Sequence, residues 1–145
     1  MTVPDRQFIT NAVIALLVTG TGKAVGDPKA PLSTAPPYSV VFSIPGGGYW
    51  GAALVGPEAD ADFVYQVDAV GLRRSQAEWM ADRVRRTILA RPSSGSFQVT
   101  LVPPTGWAVA DRVPDGGPGG VQVDGSPPHE VFSVAERFVL RVVPA

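Results

Sequence analysis

Four places in this chain carry side chains whose type and spacing could do chemistry. The first is His129, in SPPHE, the single histidine. Nucleophilic and acid–base catalysis both need a poised base, the role histidine fills most often. No Gly-x-Ser-x-Gly elbow occurs, and cysteine is absent, which removes thiolate catalysis, disulfides and cysteine-based zinc sites. The second place is Glu58, Asp60 and Asp62, alternating carboxylates of the kind that can converge on a hard cation. No EF-hand spacing surrounds them, and acids leading into a strand also serve simply as a solvated edge. The third is TGTGK at 19–23. A phosphate-binding loop requires Gly five residues before Gly22, where Leu17 stands, and Ser or Thr after Lys23, where Ala24 stands. The fourth is Trp79 with Arg83 and Arg86, chemistry of contact rather than of reaction. The chain is therefore expected to be no enzyme, with no cofactor and no metal.

The elements that must position these residues follow from period and punctuation. Residues 2–19 read as a helix, with Thr2 and Asp5 at capping-box spacing and Pro4 in the first turn. Phe8, Ala12, Ala15 and Leu16 fall on one side, Ile9, Val13 and Leu17 widen it, and Gly20 is the expected stop. Asp5 offsets Arg6, Asn11 interrupts the apolar run and no small-x-small cleavage site stands out. The segment therefore reads as part of the fold rather than a secretory signal. No apolar run approaches the ~20 residues of a membrane span. Tyr38–Ile44 and Phe63–Val70 alternate as strands and are expected to pair as an antiparallel hairpin, with the Gly-rich PGGGYWGAALVGPEADAD as an extended arm. Ser75–Ala90 is the clearest helix: Ser75 and Glu78 offer a capping box, and Ala77, Met80, Ala81, Val84 and Ile88 form one apolar stripe. Strands are expected at Phe97–Val102, Trp107–Arg112 and Phe138–Val143, and a further one through Val121–Val123. PDGGPGGVQVDGSPPHE reads as loop or ribbon. The sum is a single α+β domain over 1–145, a mostly antiparallel sheet with helices packed on it.

Composition bounds the partners. With 12 basic and 13 acidic residues the net charge is −1, so no overall field recruits nucleic acid or anionic lipid. The charges are nevertheless segregated. Four acids, Glu58, Asp60, Asp62 and Asp68, precede a run containing Arg73, Arg74, Arg83, Arg85, Arg86 and Arg91. Wound at 100° per residue, the second helix projects Trp79 from the side opposite its stripe, near Arg83 and Arg86. An aromatic ring among guanidiniums is the composition of an interface hot spot, and equally of a ring covered by its own chain's Pro/Gly loops. On the arm, Tyr49, Trp50, Leu54 and Val55 make an apolar patch that either reaches a partner or folds back on its own sheet. An acidic hairpin and an Arg-rich helix in one chain can also meet head to tail between identical copies, closing into a ring when the rotation permits.

Three segments, PPYSVVFSIPGGG, EADADFVYQVDAVG and RSQAEWMADRVRRTIL, together resemble the tail terminator proteins of long non-contractile-tailed phages of actinobacteria. The likeness covers about Pro36–Leu89, with support from the VGD after the first helix and from the closing ERFVLRVV. It implies a virion structural protein without catalytic activity. Such proteins form a ring, generally a hexamer, that caps the tail tube and ends its growth. The ring then offers a surface to the head-side connector, and the genome passes through its hole without specific binding. A head-closure or adaptor protein of the neck shares the size and the ring habit, and a monomeric module whose Tyr49/Trp50 arm captures a peptide or sugar is the other alternative.

Overall fold

The computed structural model describes residues 4–31, 33–52, 59–92, 95–117 and 119–145, with the backbone alone described at 49–52 and 59. Its centre is the strand β3, Ala59–Gly71, which is hydrogen-bonded on both sides. On one side lies β2, Tyr38–Ala52, and on the other β6, Val131–Pro144, both antiparallel to it. Two-residue β1, Val25–Gly26, adds to β2 in parallel. The far side of β6 is shared end to end by β4, Trp107–Pro114, and β5, Val121–Asp124. The order is β1-β2-β3-β6-β4 with β5 also on β6, a six-stranded, mostly antiparallel sheet. With two helices on it, this is the α+β fold expected from the sequence.

Period-two alternation decides which face is covered. Phe63, Tyr65, Val67 and Ala69 of β3 are buried and stand level with Leu140, Phe138, Glu136 and Val134 of β6. Onto this face pack α1, Arg6–Thr21, and α2, Arg74–Leu89. From α1, Arg6 stacks on the Phe63 ring and Thr10 shares a 2.9 Å hydrogen bond with the Tyr65 hydroxyl. All five residues of the predicted α2 stripe are buried, each such side chain contributing on the order of 1.5–3 kcal/mol where it is large and apolar. The opposite face carries Asp62, Gln66 and Asp68, with Val40, Val64 and Val70 as its apolar centre.

Several boundaries differ from the sequence reading, each for a local reason. The first helix starts at Arg6, with Asp5 capping through its backbone carbonyl rather than its side chain, and Thr2 lies outside the described residues. It runs past Gly20 and stops at Gly22, which takes the left-handed conformation (φ 68°) and donates to the Val18 carbonyl. Its buried apolar set is Ile9, Val13, Leu16 and Leu17, while Phe8 and Ala15 are exposed. The Ser75/Glu78 capping box does not form: the helix begins at Arg74, whose guanidinium takes Glu78 at 2.9 Å. Gln76 reaches back instead to accept from the Leu72 amide at 2.7 Å.

Phe97–Val102 is not a strand. Phe97, Val99 and Leu101 do turn inward while Gln98, Thr100 and Val102 face solvent, so the alternation reports real burial. The backbone, however, lies against the end of α2, with the Gln98 amide donating to the Ala90 carbonyl at 2.9 Å. Period two reads a side-chain pattern and says nothing of which backbone lies alongside. In the arm, β2 continues to Ala52 and β3 starts at Ala59, paired through register shifts after Ile44 and Tyr49. The hairpin expected from Tyr38–Ile44 and Phe63–Val70 is thus present and longer, and residues 53–58 lie outside the described residues. The last strand begins at Val131, seven residues before the alternation from Phe138 suggested, because Ser133, Glu136 and Arg137 mask its start.

Candidate functional site

The contact chemistry assembles where the two helices meet. Gly20 of α1 faces Thr87 of α2 so closely that a methyl on Gly20 would run into the Thr87 side chain. This approach brings the C-terminal end of α1 beside the C-terminal half of α2. There Arg83 donates from Nε to the Thr21 carbonyl at 3.1 Å, satisfying one of the acceptors a helix leaves unpaired at its end. The same guanidinium lies 5.0 Å from the centre of the Trp79 ring, one turn earlier on α2. Lys23, just past the Gly22 cap, puts its ammonium 5.9 Å from that ring. Trp79 remains 43% exposed, so the ring flanked by these two cations is still open to solvent in part. A cation held at such distances from an aromatic face contributes about 0.5–1 kcal/mol at an exposed site.

Beside this ring is a cleft of about 170 Å³ lined by Gly20, Arg83, Arg86, Thr87, Gln98 and Val99. Its charge is not balanced from within. Of the four arginines of α2, Arg74 pairs with Glu78 and Arg85 with both Asp82 and Glu136. Arg83 and Arg86 have no carboxylate partner among the described residues, and both line this cleft. The C-terminal ends of α1 and α2 oppose them with roughly half a negative charge each. Three cations, Lys23, Arg83 and Arg86, against about one unit of dipole charge leave the site positive.

The acidic hairpin is organised differently. Asp62 stands opposite Arg141 in the β3–β6 register and accepts from it through both oxygens at 2.9 Å. The guanidinium pKa of Arg141 is raised, first by that hydrogen bond and then by the Asp62 charge. Asp62 is thus paired within its own chain. A second hollow, about 230 Å³, lies here between Asp62, Asp111, Val113, Val139 and Arg141. Its other carboxylate, Asp111, is held by Arg91 at 2.7 Å, so no charge is left over. Asp60 is half-buried nearby, and Glu58, Leu54 and Val55 lie outside the described residues, as do the side chains of Tyr49 and Trp50. The structure therefore brings Trp79, Arg83 and Arg86 together, and places Asp60 and Asp62 on the opposite face of the sheet's hairpin. Among the described residues no three of His, Asp and Glu are grouped as metal ligands, and no helix is long and apolar enough to cross a membrane. His129 is exposed in the turn between β5 and β6.

Two basic residues with structural roles escape sequence reading. Lys23 draws notice only as a failed phosphate-loop lysine, although a basic residue directly after a glycine cap is a recognisable signal. Arg112 has no such signal. It is 6% exposed, stacks on the Phe97 ring at 4.3 Å and reaches the Ile88 carbonyl at 3.4 Å. Burial, and then the nearby Arg91 charge, lower its pKa.

No protein-family model matches the sequence, and no curated protein does. Among solved structures, a chain of the virion of a native gene transfer agent particle superposes with a TM-score of 0.56. It is 16% identical, and the match covers 94% of this chain and 96% of that one. The likeness is one of fold.

Proposed function

We propose that this protein is a structural component of a tailed, phage-like particle, and within it the tail terminator. It forms a ring, hexameric as such terminators generally are, that caps the tail tube, ends its polymerisation and presents a surface to the head-side connector. The observation that supports this reading is end-to-end agreement of the fold with one virion chain, with almost nothing unmatched on either side. The sequence resemblance to tail terminators concentrates on β2, β3 and α2, the rigid unit that carries Trp79, Arg83 and Arg86. Under this reading that exposed, cation-flanked ring is a protomer contact, and the hairpin arm bearing Tyr49 and Trp50 reaches a neighbour or the tube. DNA passes through the lumen without sequence readout, in keeping with a net charge of −1.

The deciding experiment adds the purified protein to polymerising tail-tube subunits and measures tube length by negative-stain microscopy. A terminator shortens the tubes in proportion to the amount added and sits as a ring at one end. Tubes of unchanged length with no terminal ring would exclude this role and leave that of a neck adaptor.

A further inference from the structure

We propose that the Arg83/Arg86 cleft is the socket for the β5–β6 turn of a second copy of this chain, with Asp124 as the group inserted. This rests on the assembly reading above and names the partner segment within it. The socket has a defined chemistry. Two guanidiniums without carboxylate partners among the described residues line a cleft of about 170 Å³, the liquid volume of five or six waters and enough for a short acidic side chain. Arg83 is held in place by the Thr21 carbonyl and the Trp79 ring, so little side-chain freedom is lost when an anion arrives. Its terminal nitrogens match the two oxygens of a carboxylate.

The plug is at one edge of the sheet. Residues 122–129 are exposed without interruption, so the β5–β6 turn stands clear of the body. Asp124 is level with Val131, which places Asp124 and Glu130 on the two sides of the turn. Neither has a cationic partner among the described residues. Val123, the residue before Asp124, is 55% exposed on the other face of the strand, so the group offered to the guanidiniums is the carboxylate. Plug and socket are different surfaces of the fold, the turn past β5 and the cleft between the ends of α1 and α2. No residue of the turn lines the cleft, so a contact between them joining two copies is head to tail. A nucleic-acid phosphate would also suit two arginines, but backbone binding draws on a longer track of cations than this single cleft supplies.

The test is sedimentation velocity of the full chain, alone and with tail-tube subunits, comparing wild type with Arg86→Glu, Asp124→Lys and the Arg86→Glu/Asp124→Lys exchange. Arg86 and Asp124 are both exposed, which spares the fold. Each single reversal should weaken self-association roughly tenfold, and the exchange should restore it. An equimolar mixture of the two single variants should assemble with the two alternating, because both contacts between unlike copies join opposite charges while contacts between like copies repel. A wild type that assembles while both single variants assemble equally well, or an exchange that fails to recover, overturns the socket and leaves the assembly reading standing. A wild type that stays monomeric under both conditions overturns the assembly reading, and the socket with it. Retained assembly of Arg86→Glu with loss of binding to a labelled DNA duplex overturns the socket in favour of phosphate.

Discussion

Glu136 stands on the helix-facing side of β6, in register with Val67 and 7% exposed, where an unpaired carboxylate would be costly. Arg85 answers it through two nitrogens, one to each oxygen, and its pKa is raised by that hydrogen bond. The guanidinium stays 39% exposed, so the pair spans from core to surface and ties α2 to β6. Removing one partner is then a different experiment from removing both. Arg85→Ala strands a buried acceptor and should destabilise by about 2–3 kcal/mol. Arg85→Ala combined with Glu136→Leu removes the orphan and should recover more than half of that loss. Chemical denaturation of the three proteins checks the non-additivity, and a double variant no better than the single would mean the carboxylate is not the source of the cost. Arg112 poses the same problem with a different answer: its Nε has no partner among the described residues, and stacking on Phe97 with a helix-end carbonyl offsets its burial.

At the scale of elements, the molecule turns on how closely α1 can approach α2, and that distance is set at Gly20. Alanine there would favour the isolated helix by about 1 kcal/mol. In the fold its methyl meets Thr87, a β-branched, buried residue whose hydroxyl is already donated to the Arg83 carbonyl at 2.8 Å. Overpacking at such a site costs about 1–3 kcal/mol. Gly20→Ala should therefore lower stability on thermal unfolding, against its helix propensity, and Thr87→Ala in the same chain should restore it. A Gly20→Ala protein more stable than wild type would show that the helices separate there at no cost. Sequence reading took Gly20 for a stop signal because composition cannot distinguish a glycine that ends a helix from one that lets a neighbour in. The same limit explains the other differences. Apolar period revealed the α2 stripe and the β2–β3 hairpin, since burial and hydrogen bonding coincide there. It misplaced Phe97–Val102, where they do not. The Ser75/Glu78 spacing fits a capping box, but the helix starts one residue earlier and Glu78 pairs with the Arg74 guanidinium instead. At the candidate site, helical geometry located Trp79, Arg83 and Arg86 on one side of α2. The cleft itself depends on α1 and on 98–99, which no spacing within α2 can reveal.

Among the described residues of the whole molecule, one apolar core is drawn from α1, α2, β2, β3 and β6 together. The helices cover one face of the sheet, with the cation-flanked ring on the outer side of that layer and the exposed turn beyond β5. Folding and assembly are then separable in energy: the core decides whether the protomer holds together, and these two surfaces decide whether protomers join. A contact made only by folded copies raises the apparent stability by mass action, so the unfolding midpoint of an assembling protein climbs with its concentration. For wild type we expect a single cooperative transition by calorimetry, with a midpoint that rises by several degrees over a hundredfold increase in concentration, a size in line with about 1–2 kcal/mol for a domain of this length. Arg86→Glu, which alters an exposed residue, should match wild type at the lowest concentration and then fail to climb. Two resolved transitions would divide the chain into independent parts. A midpoint that is flat for wild type would mean that the two surfaces do not bind one another, and a low-concentration midpoint depressed in Arg86→Glu would move this residue from the assembly surface to the support of the fold.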